Sequence, residues 1–146
     1  MTNSKTIVVM AVSFQNQEIQ FKLSDKIKIK SWIKTIVELE KKKLGQINFV
    51  FTTDAELLKT NIEFLNHHTY TDIITFDYCD GKLINGDIII SIERVKENAQ
   101  KFKVEFDSEI KRVIIHGVLH LCGYKDKSTK DAVVMKGKEN WALKKF

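Results

Sequence analysis

Proline is absent from this sequence and glycine is scarce, with 0 and 6 in 146 residues. No Pro/Gly/Ser-rich stretch interrupts the chain, so a flexible linker between separate units is excluded and one domain is expected over residues 1–146. Apolar runs are short. None approaches the roughly 20 residues a membrane-spanning helix requires. The opening Met1-Thr2-Asn3-Ser4-Lys5 lacks the charged segment, apolar core and small-residue cleavage site of a secretory signal. Only 2 cysteines are present, Cys79 and Cys122, too few for a disulfide framework. Together these absences predict a protein of a reducing, cytoplasmic setting with no membrane partner. No internal repeat and no low-complexity segment is found. A hydrophobic content of 43% argues for a folded globule with its own core.

Charge is tilted one way. Lys and Arg number 24 against 19 Asp and Glu, giving +5 and a pI near 9.1. A basic surface attracts polyanions, and nonspecific nucleic-acid binding is largely phosphate contact. The same excess also serves ordinary solubility. Lys41-Lys42-Lys43 reads as the solvated end of a helix, where cations suit the dipole.

Hydrophobic periodicity divides the chain into alternating elements. Ile7–Val12 suits a buried strand, and Ile19-Gln20-Phe21-Lys22-Leu23 alternates with the period of a strand with one wet face. A helix beginning between Asp25 and Ser31 carries Trp32, Ile33, Ile36, Val37 and Leu44, with Gly45 as its stop. Ile47–Thr52 is strand-like. Thr53-Asp54-Ala55-Glu56 has the S/T-x-x-E capping pattern and opens a short helix through Leu57, Leu58 and Ile62. Thr71–Tyr78 and Gly86–Ile90 read as strands joined through an Asp80-Gly81 turn. Ser91 caps a helix with Ile92, Val95, Ala99 and Phe102. Asp107 or Ser108 opens a central helix, and Ser128 caps a last one towards Trp141 and Leu143. Strands gather in the first two thirds and helices at the end. The expected class is α+β, a small mixed sheet packed with helices around a central metal-binding helix.

The most informative stretch is His116-Gly117-Val118-Leu119-His120-Leu121-Cys122-Gly123-Tyr124-Lys125-Asp126. Two histidines four residues apart share one helix face, close enough to hold one ion. The helix around them is apolar on most sides (Ile110, Val113, Ile114, Ile115, Val118, Leu119, Leu121) and should be buried. His116 and His120 then form a polar stripe, and buried polar groups need partners. The plainer reading, a polar edge on a core helix, supplies no partner for either imidazole. Gly123 sits where the helix would stop and turn back. Asp126 could then supply a third ligand, and three protein ligands with a vacant fourth position describe a catalytic zinc site. Cys122 is turned away from that face and reads as a small buried residue. His67 and His68 fall in an expected loop, exposed, where either could touch a nucleic acid.

Those residues, with two further blocks, resemble the YbeY family, the metal-dependent endoribonucleases of rRNA maturation. The family hallmark H-G-x-L-H-L-x-G-Y-D-H is matched by His116, Gly117, Leu119, His120, Leu121, Gly123 and Tyr124. Asn61-Ile62-Glu63-Phe64 with Thr71-Asp72-Ile73-Ile74-Thr75-Phe76 is similar to its N-x-x-Y … T-D-V-L-S-F segment. Gly86-Asp87-Ile88-Ile89-Ile90-Ser91 is similar to its G-D-I-x-I-S strand. The resemblance implies one Zn²⁺ per chain on His116, His120 and Asp126. It also implies metal-assisted cleavage of single-stranded RNA, maturation of the 3′ end of 16S rRNA, ribosome quality control, and the small ribosomal subunit as partner. No nucleotide cofactor is expected.

Two departures from the family pattern matter for the site. Asp126 stands where the family has a histidine ligand; a carboxylate can coordinate zinc but removes a unit of positive charge from the site. Leu65 stands where the family has an arginine implicated in activity, and a lysine would not reproduce that planar fork. Lys125 and Lys127 flank Asp126, either to restore positive potential or as solvated loop residues. The histidine pair also invites comparison with metzincin proteases, but Gly117 occupies the position of their general-base glutamate. The alternative to a nuclease is a non-catalytic, metal-containing ribosome assembly factor that binds rRNA or a ribosomal protein.

Overall fold

Two segments whose side chains alternate between buried and half-buried form the centre of the sheet. They are Lys43–Thr52 and Leu83–Ser91, with Ile47, Phe49, Phe51, Ile84, Ile88 and Ile90 turned inward. The computed structural model describes residues 11–66 and 71–146. In chain order the elements are β1 (Val12–Asn16), α1 (Lys26–Leu39), β2 (Lys43–Thr52), α2 (Asp54–Leu65), β3 (Ile73–Asp77), β4 (Leu83–Ser91), α3 (Ile92–Phe102), α4 (Phe106–Leu121) and α5 (Thr129–Lys144). The sheet order is β1-β2-β4-β3. The β1–β2 and β2–β4 pairs are parallel and β3–β4 is antiparallel, so the sheet is mixed and the class is α+β, as expected.

Helix α4 is the centre of the molecule. Ile110, Val113, Ile114, Ile115, Val118, Leu119 and Leu121 are all buried, and the helix packs on β3, β4, α1, α3 and α5. Its approach to the sheet is set by Gly117. A Cβ there would lie 3.0 Å from Ile73 Cδ1 and from Ile88 Cδ1 and Cγ2. Leu23, Ile29, Ile33, Ile36 and Val37 join the same core cluster. Among the described residues, no helix is long and apolar enough to cross a membrane.

Three helix starts follow their sequence signals. The Thr53, Ser91 and Ser128 hydroxyls accept from the backbone N–H of Glu56, Arg94 and Asp131. Asp80 and Leu83 bridge around Gly81, whose φ is 58°, which forms the turn expected between β3 and β4.

Other expectations are corrected. Ile19–Leu23 is not a strand. Its burial does alternate, but the segment is fixed by the Asn16 side chain donating to the Phe21 carbonyl and by the Phe21 ring meeting Phe51 and Phe106 edge-on. Leu44 and Gly45 belong to β2, and α1 ends at Leu39. Lys41 turns the chain with φ 63°, and the Lys42 N–H donates to the Val37 carbonyl. Lys41–Lys43 therefore occupy a turn and a strand start. Gly45 is required by space, because a Cβ would collide with the Asn85 side chain and the Ile84 carbonyl. Helix α4 begins at Phe106 with Glu105 as cap residue, ahead of Asp107 and Ser108. The strand expected over Ile7–Val12 lies outside the described residues except for its end, where β1 starts. His67 and His68 lie outside them too.

Candidate metal and catalytic site

The end of α4 is built to turn back on itself. The Tyr124 N–H donates to the Leu119 carbonyl and the Gly123 N–H to the His120 carbonyl, both in the range 3.0–3.1 Å. These nested bonds are a Schellman motif, and Gly123 takes its left-handed position with φ 113°. The turn brings the Tyr124 carbonyl to 3.0 Å from His120 Nδ1. Two residues further on, Asp126 Oδ2 lies 3.2 Å from His116 Nε2. The reversal expected from Gly123 thus delivers Asp126 to the histidine stripe.

His116 is held from its other side. Its Nδ1 is 2.7 Å from Glu139 Oε2 on α5, and the second oxygen of Glu139 accepts from Arg112 Nη1 at 2.7 Å. Arg112 also approaches Glu109, with Nε 3.7 Å from Oε1. These groups share a cleft of about 720 Å³ lined by His116, His120, Asp126, Glu139, Arg112 and Lys127. Asp72 and Ile73 before and within β3, and Leu65 at the end of α2, also line it.

Burial and charge oppose each other throughout the cleft. Burial works to lower the His116 pKa, but the hydrogen bond and charge of Glu139, with Asp126 and Asp72, raise it overall. Burial likewise pushes Glu139 up, and the His116 and Arg112 contacts outweigh it, leaving that carboxyl below the usual range. Asp72 and Glu109 are both raised, chiefly by burial.

The acceptors facing each Nδ1 decide what the imidazoles can offer. A carboxylate oxygen and a backbone carbonyl both require a proton on the nitrogen they face; at His116 the Asp126 carboxylate faces Nε2 as well and would share an ion there in place of a proton, so each ring is set to keep Nδ1 protonated and to coordinate through Nε2. That is the tautomer a metal ligand needs, and the chemistry of His116, His120 and Asp126 fits a divalent ion. Among the described residues, no three His, Cys, Asp or Glu side chains stand as a ready-made ion cluster. Asp126 touches His116 directly, while His120 lines the same cleft.

Several residues here were not singled out in the sequence. Arg112 sits one turn before His116, so Arg112, His116 and His120 make an i,i+4 row. Glu139 lies on the buried stripe of α5 with Met135 and Ala142, and a charged residue on such a stripe was its signal. Cys122 is buried, and its thiol is pushed up to about 12, first by burial and then by Glu40.

The fold and cleft together define an α+β protein with a histidine–carboxylate site of the kind that serves metal-assisted hydrolysis. Residues 12–146 match the family described as Endoribonuclease YbeY, and the chain belongs to that family. Relatives named endoribonuclease YbeY include one from Flavobacterium psychrophilum, 51% identical over 92% of this chain and 96% of that protein. Those from Flavobacterium johnsoniae and Bacteroides fragilis are 47% and 41% identical, covering 90% and 92% of this chain and 94% and 96% of theirs. A solution structure from Thermotoga maritima superposes with a TM-score of 0.68 at 26% identity, covering 92% of this chain and 87% of that one.

Proposed function

We propose that this metal-dependent endoribonuclease cuts single-stranded RNA with one zinc ion per chain, held by His116, His120 and Asp126. The observation that carries the reading is the pair of Nδ1 contacts, to Glu139 and to the Tyr124 carbonyl, which set both rings to coordinate through Nε2, with Asp126 Oδ2 as the carboxylate 3.2 Å from His116 Nε2. A divalent ion supplies Lewis-acid activation of water and of a phosphoryl oxygen. The chain's residues bind and orient around it. Asp126 adds a carboxylate donor from the loop, and Lys127 gives the cleft a cation suited to the RNA backbone. Gly117 provides no base, so water activation rests on the site as a whole. The substrate is placed in rRNA maturation, at the 3′ end of 16S rRNA, with the small ribosomal subunit as partner and the cytoplasm as compartment.

A labelled single-stranded RNA and its duplex form, incubated with purified protein after chelation and after zinc return, test this. Cleavage of the single strand alone, restored by zinc and lost in His120→Ala, supports the reading. Leu65 lines the cleft where the family resemblance implies an arginine, and this favours a second reading as a non-catalytic assembly factor. RNA binding without cleavage in parent and variant alike would select it.

A further inference from the structure

Glu139 is a charged side chain that is only 7% exposed, and both of its oxygens are committed. Oε2 faces His116 Nδ1 and Oε1 faces Arg112 Nη1, each at 2.7 Å. A buried carboxylate is expensive unless paired, and here the pairing runs from α5 to two positions on one face of α4. His120 offers an internal contrast. Its Nδ1 faces a neutral backbone carbonyl at 3.0 Å, so its tautomer is set without any carboxylate.

We propose that Glu139 is a positioning residue that orients His116 and strengthens it as a metal donor, with Arg112 holding Glu139 in place. This rests on the reading of His116 as a ligand. A proton shared between Nδ1 and a carboxylate leaves more electron density at Nε2 than a proton shared with a carbonyl, so the two histidines are unequal donors. The Arg112 guanidinium has a second consequence. It offsets the charge of Glu139, so the carboxylate can act on the ring without adding net negative charge to a cleft that must admit phosphate. With both oxygens committed to His116 and Arg112, Glu139 acts through the imidazole.

The test is zinc affinity of the full chain, measured by competition with a chromogenic chelator, for the parent, Glu139→Gln, His116→Ala and the double variant. Glutamine keeps the size and an acceptor oxygen but not the charge, and thermal melts confirm that each protein is folded. Glu139→Gln should weaken zinc about 10- to 100-fold, the range found when such outer partners of a ligand are changed. In the His116→Ala background the same change should have almost no effect, because the ring it acts through is gone. Glu139→Asp, too short to reach both partners, should not restore affinity. A Glu139→Gln protein with a lowered melting temperature but parental zinc affinity would overturn the proposal, leaving Glu139 as a bond between helices. Additive losses in the double variant would also overturn it. If the parent itself bound no zinc, the reading of His116 as a ligand would fall first, and the proposal with it.

Discussion

Tyr124 and Glu40 are joined across 84 residues of sequence, the phenol donating to Glu40 Oε1 at 2.7 Å while Lys138 donates to the other oxygen at 2.7 Å. The bond ties the turn after α4 to the end of α1. The Tyr124 carbonyl, which receives His120 Nδ1, is therefore fixed through its own side chain. Tyr124→Phe should lower stability by about 1 kcal/mol, the ordinary net contribution of a hydrogen bond, because Glu40 keeps Lys138 as partner. For a domain of this size that is a fall of roughly 2–4 °C in melting temperature. Zinc affinity should change only a few-fold, since the backbone carbonyl remains. A loss as large as that of His120→Ala would show that the carbonyl cannot hold its place without the phenol.

Asp126→His should keep zinc bound, because the loop already delivers position 126 to within 3.2 Å of His116. Replacing a carboxylate ligand with a neutral one leaves more positive charge at the site, and water there ionises at lower pH. The rising limb of the pH–rate profile for single-stranded RNA should move to lower pH. An unmoved limb in a variant with parental zinc content would separate rate-limiting ionisation from this water.

Burial holds the Cys122 proton, with the thiol pushed up to about 12. Above the ordinary thiol pKa of about 8.5 the unfolded chain loses this proton and the folded chain keeps it. The unfolded state then binds fewer protons, so stability falls as pH rises, by about 1.4 kcal/mol per pH unit from this group. Urea midpoints between pH 8 and 10 should decline less steeply in Cys122→Ala than in the parent. Equal slopes would refute the assignment. Alkylation of native protein should be correspondingly slow, and Cys79, raised first by burial and then by Asp77, should share that resistance.

Gly117→Ala adds a methyl group where Ile73 and Ile88 already approach to 3.0 Å, and Ile88 is fully buried. The helix would have to lift from the sheet, costing about 1–3 kcal/mol. Chemical denaturation measures this directly. A neutral outcome would mean that Ile73 moves aside.

Where local chemistry dominates, the sequence was readable. The hydroxyl caps at Thr53, Ser91 and Ser128, the apolar circumference of α4 and the Asp80-Gly81 turn all depend on neighbours within a few positions. Where distant groups decide, the local pattern misleads. Gly45 looks like a helix stop in isolation, yet its reason is Asn85 on the neighbouring strand. Phe21 alternates like a strand residue because two aromatic rings from β2 and α4 receive it, not because a ladder does. The same division holds at the site. His116 and His120 announce themselves by spacing, and Gly123 announces the turn. Glu139 needed the packing of α5 against α4 before its pairing with His116 could be seen.

The Schellman turn and the α4–α5 pairing keep the donors close in sequence. His116 and Asp126 are separated by ten residues, and His116 and Glu139 by 23. Closing loops this short takes little chain entropy, and each doubling of length would add only about 0.6 kcal/mol. The wall from Asp72 and Ile73 must instead be recruited across some forty residues. The donor atoms and their supports thus lie within one helical hairpin, while the depth of the cleft is set by the sheet. Mutations in the β-strands should therefore reach the chemistry by reshaping the space around the ion, leaving the identity of its ligands untouched.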